Sequence, residues 1–439
     1  MRESAVIIIG AGAAGLAAAW HLAEAGVGST ILEARNRIGG RIWTARSQPG
    51  NRPIELGPEF IHGEKVETWE FIRKAGLGTE EVPDRHWQPM DGAVIQKPDF
   101  WEQLEKVFKR INRSEPDVPF ETFLSHNPDL DPEIRWLAKE YVEGFHAAPV
   151  QKMSVRALAL AEKAAEKEAG TKQFRFSEGY SRLVDWFTAS LRASGVEILC
   201  GQKVAEVRWE RNQVEVIAGP VGEEQRHRAS VCLVTIPLSL LQRQAVRFEP
   251  GLGEKERAIQ SLAVGQVIRV NLGFQKRFWP VENFGFLHTD DERFPTWWSE
   301  PHGPCITGWA GGPRAEKLSA ESDETLVSEA VSALARVLRI EKKIVADQLA
   351  GSWTHNWSAD EFALGAYSYT PVGMLDMPGR LAQPLAETLF FAGEATNHTG
   401  DQGTVHGALA SGKRAAKEIL KSLHTGGFAK VATRRNLSL

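Results

Sequence analysis

The period of the hydrophobic positions changes along this chain, and the changes divide it. Ala5 to Ile9 (AVIII) is a continuous apolar, largely β-branched run, the pattern of a strand buried on both faces of a parallel sheet. An alanine-rich helix is predicted from Ala13 to Ala25, stopped by Gly26, and a second apolar strand from Thr30 to Leu32. From Leu77 to Lys172 the pattern is mostly helical. Asp99 is placed to cap a helix over Phe100 to Ile111, with Phe100, Leu104, Phe108 and Ile111 on one face. Asp131-Pro132 sets an N-cap before a proline at the first helical position and opens a helix to about Phe145. Ser154 opens another, ended by Gly170, whose Ala/Glu/Lys content predicts a solvated face. Ser177 to Val216 reads helix, strand, strand. Gly265 to Tyr369 alternates as strands, with a helix from Asp323 to Leu338. A last helix is expected from about Thr404 to His424, with Gly426 and Gly427 behind it.

Length and charge narrow the classes. The 439 residues suggest two or three compact units. The net charge of −4, from 52 basic and 56 acidic residues, leaves no strong basic field. A general nucleic-acid or anionic-membrane binder is therefore not expected. The basic stretch Lys430 to Arg435 reads as a frayed end. Three cysteines, Cys200, Cys232 and Cys305, give neither a disulfide framework nor metal-ligand spacing, and no HExxH cluster occurs among the 12 histidines. A metal-based mechanism is not expected. The longest apolar run, Val231 to Leu241, is interrupted and too short to span a bilayer. No secretory leader is expected before the first strand, and a cytoplasmic location is the expectation. The 14 tryptophans read either as core fillers or as the lining of an aromatic cavity.

The first strand runs directly into GAGAAG, which places Gly10, Gly12 and Gly15 in GxGxxG spacing with Ala14 inside it. Each position has a physical task. Gly10 makes the tight turn, Gly12 leaves room for a pyrophosphate against the backbone, and Gly15 lets helix and strand pack closely. The helix N-terminus offers free N–H groups to phosphate. Glu33, at the end of the second strand, can accept both hydroxyls of a ribose. This context predicts dinucleotide binding but does not separate NAD from FAD.

The residues after Glu33 separate them by resemblance. GAGAAGL followed by EARNRIGGR, with Ala34, Arg35, Gly40 and Arg41, resembles the FAD-binding start of the flavin amine oxidases. That group includes monoamine oxidases, polyamine oxidases, L-amino-acid oxidases and the lysine-specific histone demethylases. LGPEFIHG, with Gly57, Pro58, Glu59, Phe60 and His62, resembles a segment lying over the flavin in polyamine oxidases. GQKVAEVRWERNQVEV resembles the strand pair whose valine, here Val204, meets the adenine through its backbone. VTIPLSLL, with Thr235 and Pro237, resembles a strand end at the cofactor. FFAGEATNH, with Gly393 and Glu394, resembles the segment along the ribityl chain. GTVHGALASGKRAA resembles the closing helix, so Gly403, Thr404 and Val405 carry over as flavin contacts, as does Trp353. A helix N-terminus aimed at the ring would stabilise the negative charge of reduced flavin.

The resemblance implies an α/β fold: a Rossmann-type FAD-binding domain with an inserted α+β substrate domain, a mixed sheet flanked by helices. The expected boundaries are 1–76, 173–255 and 385–426 for the FAD domain. The substrate domain is expected over 77–172 and 256–384, and a tail over 427–439. It also implies oxidation of an amine C–N bond by hydride transfer to flavin N5. The imine then hydrolyses to an aldehyde or keto acid, and dioxygen becomes hydrogen peroxide. Such chemistry needs an unprotonated amine, which an apolar aromatic pocket favours.

GAYSYTPVG resembles the segment in which a tyrosine, here Tyr367, forms one aromatic wall. The position before it, where monoamine oxidases carry a flavin-linked cysteine, is Ala366, so FAD is expected to be non-covalent. Thr404 occupies the place of the facing tyrosine. Trp298 and His62 are further candidates for the cavity. GQVIRVNLGFQKRFWP resembles the strand bearing a lysine that reaches flavin N5 through water, and the matching residue is Arg269. Arginine keeps a charge it essentially cannot lose. It could hold that water, pair with a substrate carboxylate, or sit in a salt bridge. The expected partner is thus a small amine or amino-acid-like substrate, with dioxygen as acceptor. A dehydrogenase or desaturase using another acceptor, and a non-catalytic FAD-binding protein, stay open as alternatives.

Overall fold

Arg2–Ile9 lies inside an eight-stranded sheet, hydrogen-bonded in parallel to Ser29–Leu32 on one side and to Gln225–Val234 on the other. Glu197–Leu199 extends one edge in parallel, and Leu389–Phe391 pairs with the end of Gln225–Val234. An antiparallel pair, Val204–Glu210 and Gln213–Ala218, and the short strand Arg247–Glu249 complete the other side. Both faces are covered, which is why Val6 to Ile9 are apolar without alternation. On one face lie the helices Ala13–Glu24, Ser181–Ala193 and Val405–Thr425. Each fully buried aliphatic side chain there contributes roughly 1.5–3 kcal/mol. The first and last of these helices touch backbone to backbone, since a Cβ on Gly412 would stand 2.3 Å from Ala14 O.

This computed structural model describes residues 2–47, 50–64, 66–90, 93–279, 285–300 and 303–425. The expected tail over 427–439, its basic stretch and the pair Gly426–Gly427 lie outside the described residues.

A second, seven-stranded sheet runs Leu349–Thr354, Val267–Phe274, Cys305–Gly311, Thr296–Ser299, Phe286–His288, His86–Met90, Ala93–Gln96. It is antiparallel except where Phe286–His288 meets His86–Met90 in parallel, so it is a mixed sheet. The helix Asp323–Leu338 packs on it, with Leu326, Ala330 and Leu334 fully buried. Helices Phe100–Phe108, Phe120–Ser125, Pro132–Phe145 and Val155–Glu168 form a separate apolar cluster over the other side of the site. Asp131 caps its helix by accepting from Glu133 N at 2.8 Å, and Ser154 does the same for Ala157 N at 3.0 Å.

The helix Val155–Glu168 differs from the expected solvated element. Lys163, Glu166 and Lys167 are exposed, but Ala161, Glu162, Ala165 and Glu168 fall on one stripe that faces a central cavity.

Candidate active site

A cavity of about 610 Å³ begins at the glycine turn and runs between the two sheets to the helical cluster. Its first part is built from backbone. Gly10 has φ of +105°, and a Cβ there would meet Thr235 Oγ1 at 2.8 Å. A Cβ on Gly15 would stand 2.1 Å from Gly10 O, so helix and strand touch only because this residue is glycine. Gly12 has nothing within 4 Å of its missing side chain and faces the cavity beside the first turn of Ala13–Glu24. The Glu33 carboxylate is fixed by Ala11 N and Arg35 N, each at 2.8 Å, and lines the same cavity. A bare glycine, a helix N-terminus and an oriented carboxylate fit a pyrophosphate and a ribose. These are the residues that would hold the dinucleotide.

The remaining expected cofactor positions converge on this cavity with one exception. Ala14, Ala34 and Gly40 line it, as do Gly57, Pro58, Phe60, Val204, Thr235 and Pro237. Arg35 and Arg41 also line it, the Arg35 fork occupied and Arg41 engaged through one nitrogen. Arg35 is bidentate to Asp360 at 2.9 and 2.6 Å. Arg41 NH1 donates to Glu394 at 3.1 Å and to Ala366 O. Beside Gly393, the buried Glu394 also accepts from Ser368 Oγ at 2.6 Å and Gly403 N at 3.1 Å. Thr404 caps the closing helix: its hydroxyl donates to Asp401 O and accepts from Gly407 N at 3.0 Å. The N-terminus at Val405 thereby opens on the cavity.

Trp353 does not line the cavity. It sits in Leu349–Thr354, opposite Asn271, with its ring over the bare backbones of Gly273 and Gly351. Trp357 lines the cavity instead, held by donation from Nε1 to Leu56 O at 2.8 Å. The chain leaves the sheet between these two tryptophans, and no local pattern in the sequence distinguishes them.

The far end of the cavity is built from side chains. Arg269 is buried on Val267–Phe274. Its guanidinium donates to Glu59 Oε2, to Asn271 Oδ1 at 3.0 and 3.1 Å, and to Gly57 O at 3.2 Å. Glu59 also faces Arg175 Nε at 2.8 Å and accepts from Trp298 Nε1 at 3.0 Å. Burial alone would raise the Glu59 carboxyl, but the two guanidinium groups outweigh it and hold it below the usual carboxylate range. Glu300, 3.4 Å from Arg175, is pushed up to about 7, mainly by burial. Arg269 is therefore a salt-bridged arginine that also forms part of the cavity wall.

Aromatic rings cover most of what remains. Tyr367 lines the cavity and donates from its hydroxyl to Phe145 O at 2.7 Å, while burial raises its pKa. Phe60 and Trp298 meet edge to face at 5.5 Å, and His62 meets Phe145 the same way at 5.3 Å. Burial, and then His406, lower His62 to about 3, so it is neutral at pH 7. Opposite lie carboxylates not singled out in the sequence. Glu162, 3.5 Å from Tyr141 OH, is raised by burial to about 7. Glu168 is raised to about 7 by burial and by Asp401, and burial raises Asp401 too. His406 Nε2 is 3.9 Å from both, and its own pKa falls to about 4 by burial. Ligand atoms of Glu168, Asp401 and His406 lie within 4.8 Å of one another, although their sequence spacing carries no metal signature. The alanines and glutamates at Ala161, Glu162, Ala165 and Glu168 read the same on a solvated face, so no sequence signal singled these acids out.

The doubly wound sheet, the glycine turn and the aromatic cavity define an FAD-dependent amine oxidoreductase. Residues 13–420 match the flavin containing amine oxidoreductases, and the chain belongs to that family. It is 30% identical to Polyamine oxidase 3 of Oryza sativa subsp. japonica, over 94% of this chain and 88% of that protein. It is 27% identical to Lysine-specific histone demethylase 1 homolog 2 of Arabidopsis thaliana, over 95% of this chain but 58% of that one. A solved structure of putrescine oxidase bound to putrescine superposes with a TM-score of 0.80 at 21% identity, covering 96% of this chain and 99% of that one.

Proposed function

We propose that this protein oxidises a small aliphatic amine carrying a second cationic group, with dioxygen as electron acceptor and FAD held non-covalently. The observation that carries the substrate class is the placement of Glu162, Glu168 and Asp401 on the wall of a cavity that Phe60, Tyr141, Phe145, Trp298 and Tyr367 also line. FAD, when bound, supplies the hydride acceptor that turns the amine into an imine, which water hydrolyses to an aldehyde, and reduction of dioxygen yields hydrogen peroxide. The chain's own residues do the rest. The aromatic walls exclude water and favour the uncharged reacting amine. Glu162 and Glu168 stand about 9 Å apart along their helix axis and can hold a distant ammonium. Arg269 is already paired with Glu59, so it offers no free cation to a substrate carboxylate. That argues for a diamine or polyamine over an amino acid. Neither Cys200, Cys232 nor Cys305 lines the cavity, in keeping with non-covalent FAD.

The test is anaerobic bleaching of the flavin by a panel of monoamines, diamines and amino acids, followed by admission of air. Diamines should bleach it at the lowest concentrations, and Glu168→Gln should raise the concentration needed about tenfold. The proposal fails if amino acids bleach the flavin and diamines do not. Arg269 favours one second reading, a dehydrogenase: a guanidinium fixed by four hydrogen bonds is not free to reorganise around oxygen. Slow recovery of colour in air would select it.

A further inference from the structure

On the wall of the cavity, away from Arg269, two imidazoles and a carboxylate form a continuous line. Asp84 Oδ1 lies 3.1 Å from His86 Nε2, and His86 Nδ1 lies 2.9 Å from His288 Nε2. The inner end faces the cavity, which His86 and His288 both line. The outer end is at the surface, where the Asp84 side chain is 56% exposed. Phe100 stacks on both rings, at 3.8 Å from His86 and 4.6 Å from His288, and fixes their planes. Trp101 Nε1 donates to the same Asp84 oxygen at 2.9 Å. Nothing in the cofactor cradle or the carboxylate wall uses this line.

Its hydrogen-bond order follows from one end. Asp84 is held ionised below the usual range, first by its bond to His86. An ionised carboxylate only accepts, so His86 must carry its proton on Nε2. Its Nδ1 is then bare and accepts from His288 Nε2–H. That leaves His288 Nδ1 unprotonated, with no hydrogen-bond partner among the described residues. Burial keeps both rings neutral: it lowers His86 against the pull of Asp84, and it lowers His288 well below normal with help from His86. Among the described residues, the groups facing the pair are Asp84, Phe100, Trp101 and Phe286, so Asp84 is the single charge among them.

We propose that Asp84, His86 and His288 form a proton relay that takes the proton shed by the substrate ammonium from the cavity to solvent. The inference rests on the amine reading above. A proton arrives at His288 Nδ1, directly or through water. The Nε2 proton of His288 moves to His86 Nδ1, the Nε2 proton of His86 moves to Asp84, and Asp84 releases it to water. One proton enters and one leaves, and each ring ends in its other tautomer without holding a charge. Reduction of dioxygen to hydrogen peroxide consumes one proton per turnover. Its passage inward restores the starting tautomers.

The test compares wild-type holoenzyme with His288→Phe, which keeps a ring on Phe100, and with Asp84→Asn. Anaerobic bleaching by a diamine should slow roughly 10- to 100-fold in His288→Phe at neutral pH. The loss should shrink at high pH, where the amine arrives deprotonated, and added imidazole should restore the rate. Flavin content and melting temperature should match wild type. Independently of turnover, ¹⁵N-histidine NMR should show an unprotonated His288 Nδ1 that becomes mixed in Asp84→Asn. Unchanged bleaching, a loss equal at every pH without imidazole rescue, or a protonated Nδ1 would each overturn the relay. A wild-type flavin that no amine bleaches would instead overturn the amine reading beneath it.

Discussion

Around the glycine turn, what faces the cavity is mostly main chain. Gly10, Gly12 and Gly15 contribute absence of side chain, and Ala13–Glu24 contributes its free N–H groups. At the opposite end the wall is almost entirely side chain. Glu59 comes from a loop, Arg269 from Val267–Phe274 and Trp298 from Thr296–Ser299, while Arg175, from Gln173–Phe176, pairs with Glu59 from outside that lining. The two ends carry their constraints differently. Main-chain recognition is set within some 30 residues of sequence, and steric room is what it cannot lose. The side-chain wall is set by segments more than 200 residues apart, and charge balance is what it cannot lose.

The sharpest way to break this contrast is to unbalance the charged wall. Glu59→Ala leaves Arg175 and Arg269 buried without their shared partner. It should cost about 3–5 kcal/mol of stability, measured by urea unfolding of the holoenzyme. Arg269→Met should cost less, because Glu59 keeps Arg175. If the two variants lose equal stability, Glu59 is not the hub of the network.

The cradle should fail for a different reason. Gly15→Ala places a Cβ 2.1 Å from Gly10 O, and only backbone movement can relieve it. The expected cost is about 1–3 kcal/mol, with a lower ratio of flavin to protein absorbance in the purified enzyme. Full flavin retention would mean that the turn yields without disturbing the site.

The same contrast explains what could be read from the chain. The strand, turn, helix, strand and acid of the cradle are contiguous, so spacing alone carries them. Asp131 and Ser154 were legible as caps because a cap acts within three residues. The partners of Arg269 were not legible, because Glu59 lies 210 positions away and meets it only after two sheets have formed. Arg35 and Arg41 stand in the segment that resembles a cofactor site, yet Asp360 takes the Arg35 fork and Glu394 one nitrogen of Arg41, both partners distant in sequence. Glu162 and Glu168 read as solvated because an alanine-glutamate stripe looks the same facing water or facing a cavity. Only the packing of Val155–Glu168 decides between them.

That helix supplies a gentler test. Glu168 takes up its proton near pH 7 in the folded protein because it is buried beside Asp401. As pH rises through about 7 it ionises and gains attraction for a cation. A bis-quaternary alkyl ammonium, whose own charge does not titrate, should therefore inhibit more strongly across that interval, by about tenfold. Glu168→Gln should reduce the dependence, leaving the part due to Glu162, which burial also raises to about 7. A flat wild-type profile would remove Glu168 from cation recognition.

The smallest effect separates two tryptophans four residues apart. Trp353 covers Gly273 and Gly351 in the second sheet, so Trp353→Phe thins a packed surface and changes nothing at the cavity. Trp357 donates to Leu56 O from inside the cavity wall, and Trp357→Phe leaves that carbonyl without its donor. The expected cost of the latter is about 1 kcal/mol. Its clearer sign is a shifted flavin absorption band and weaker FAD retention, both unchanged in Trp353→Phe. Resemblance in sequence assigned the cofactor role to Trp353, and the fold gives the cavity position to Trp357. A spectrum that moves with Trp353→Phe and not with Trp357→Phe would return the role to the residue the sequence chose.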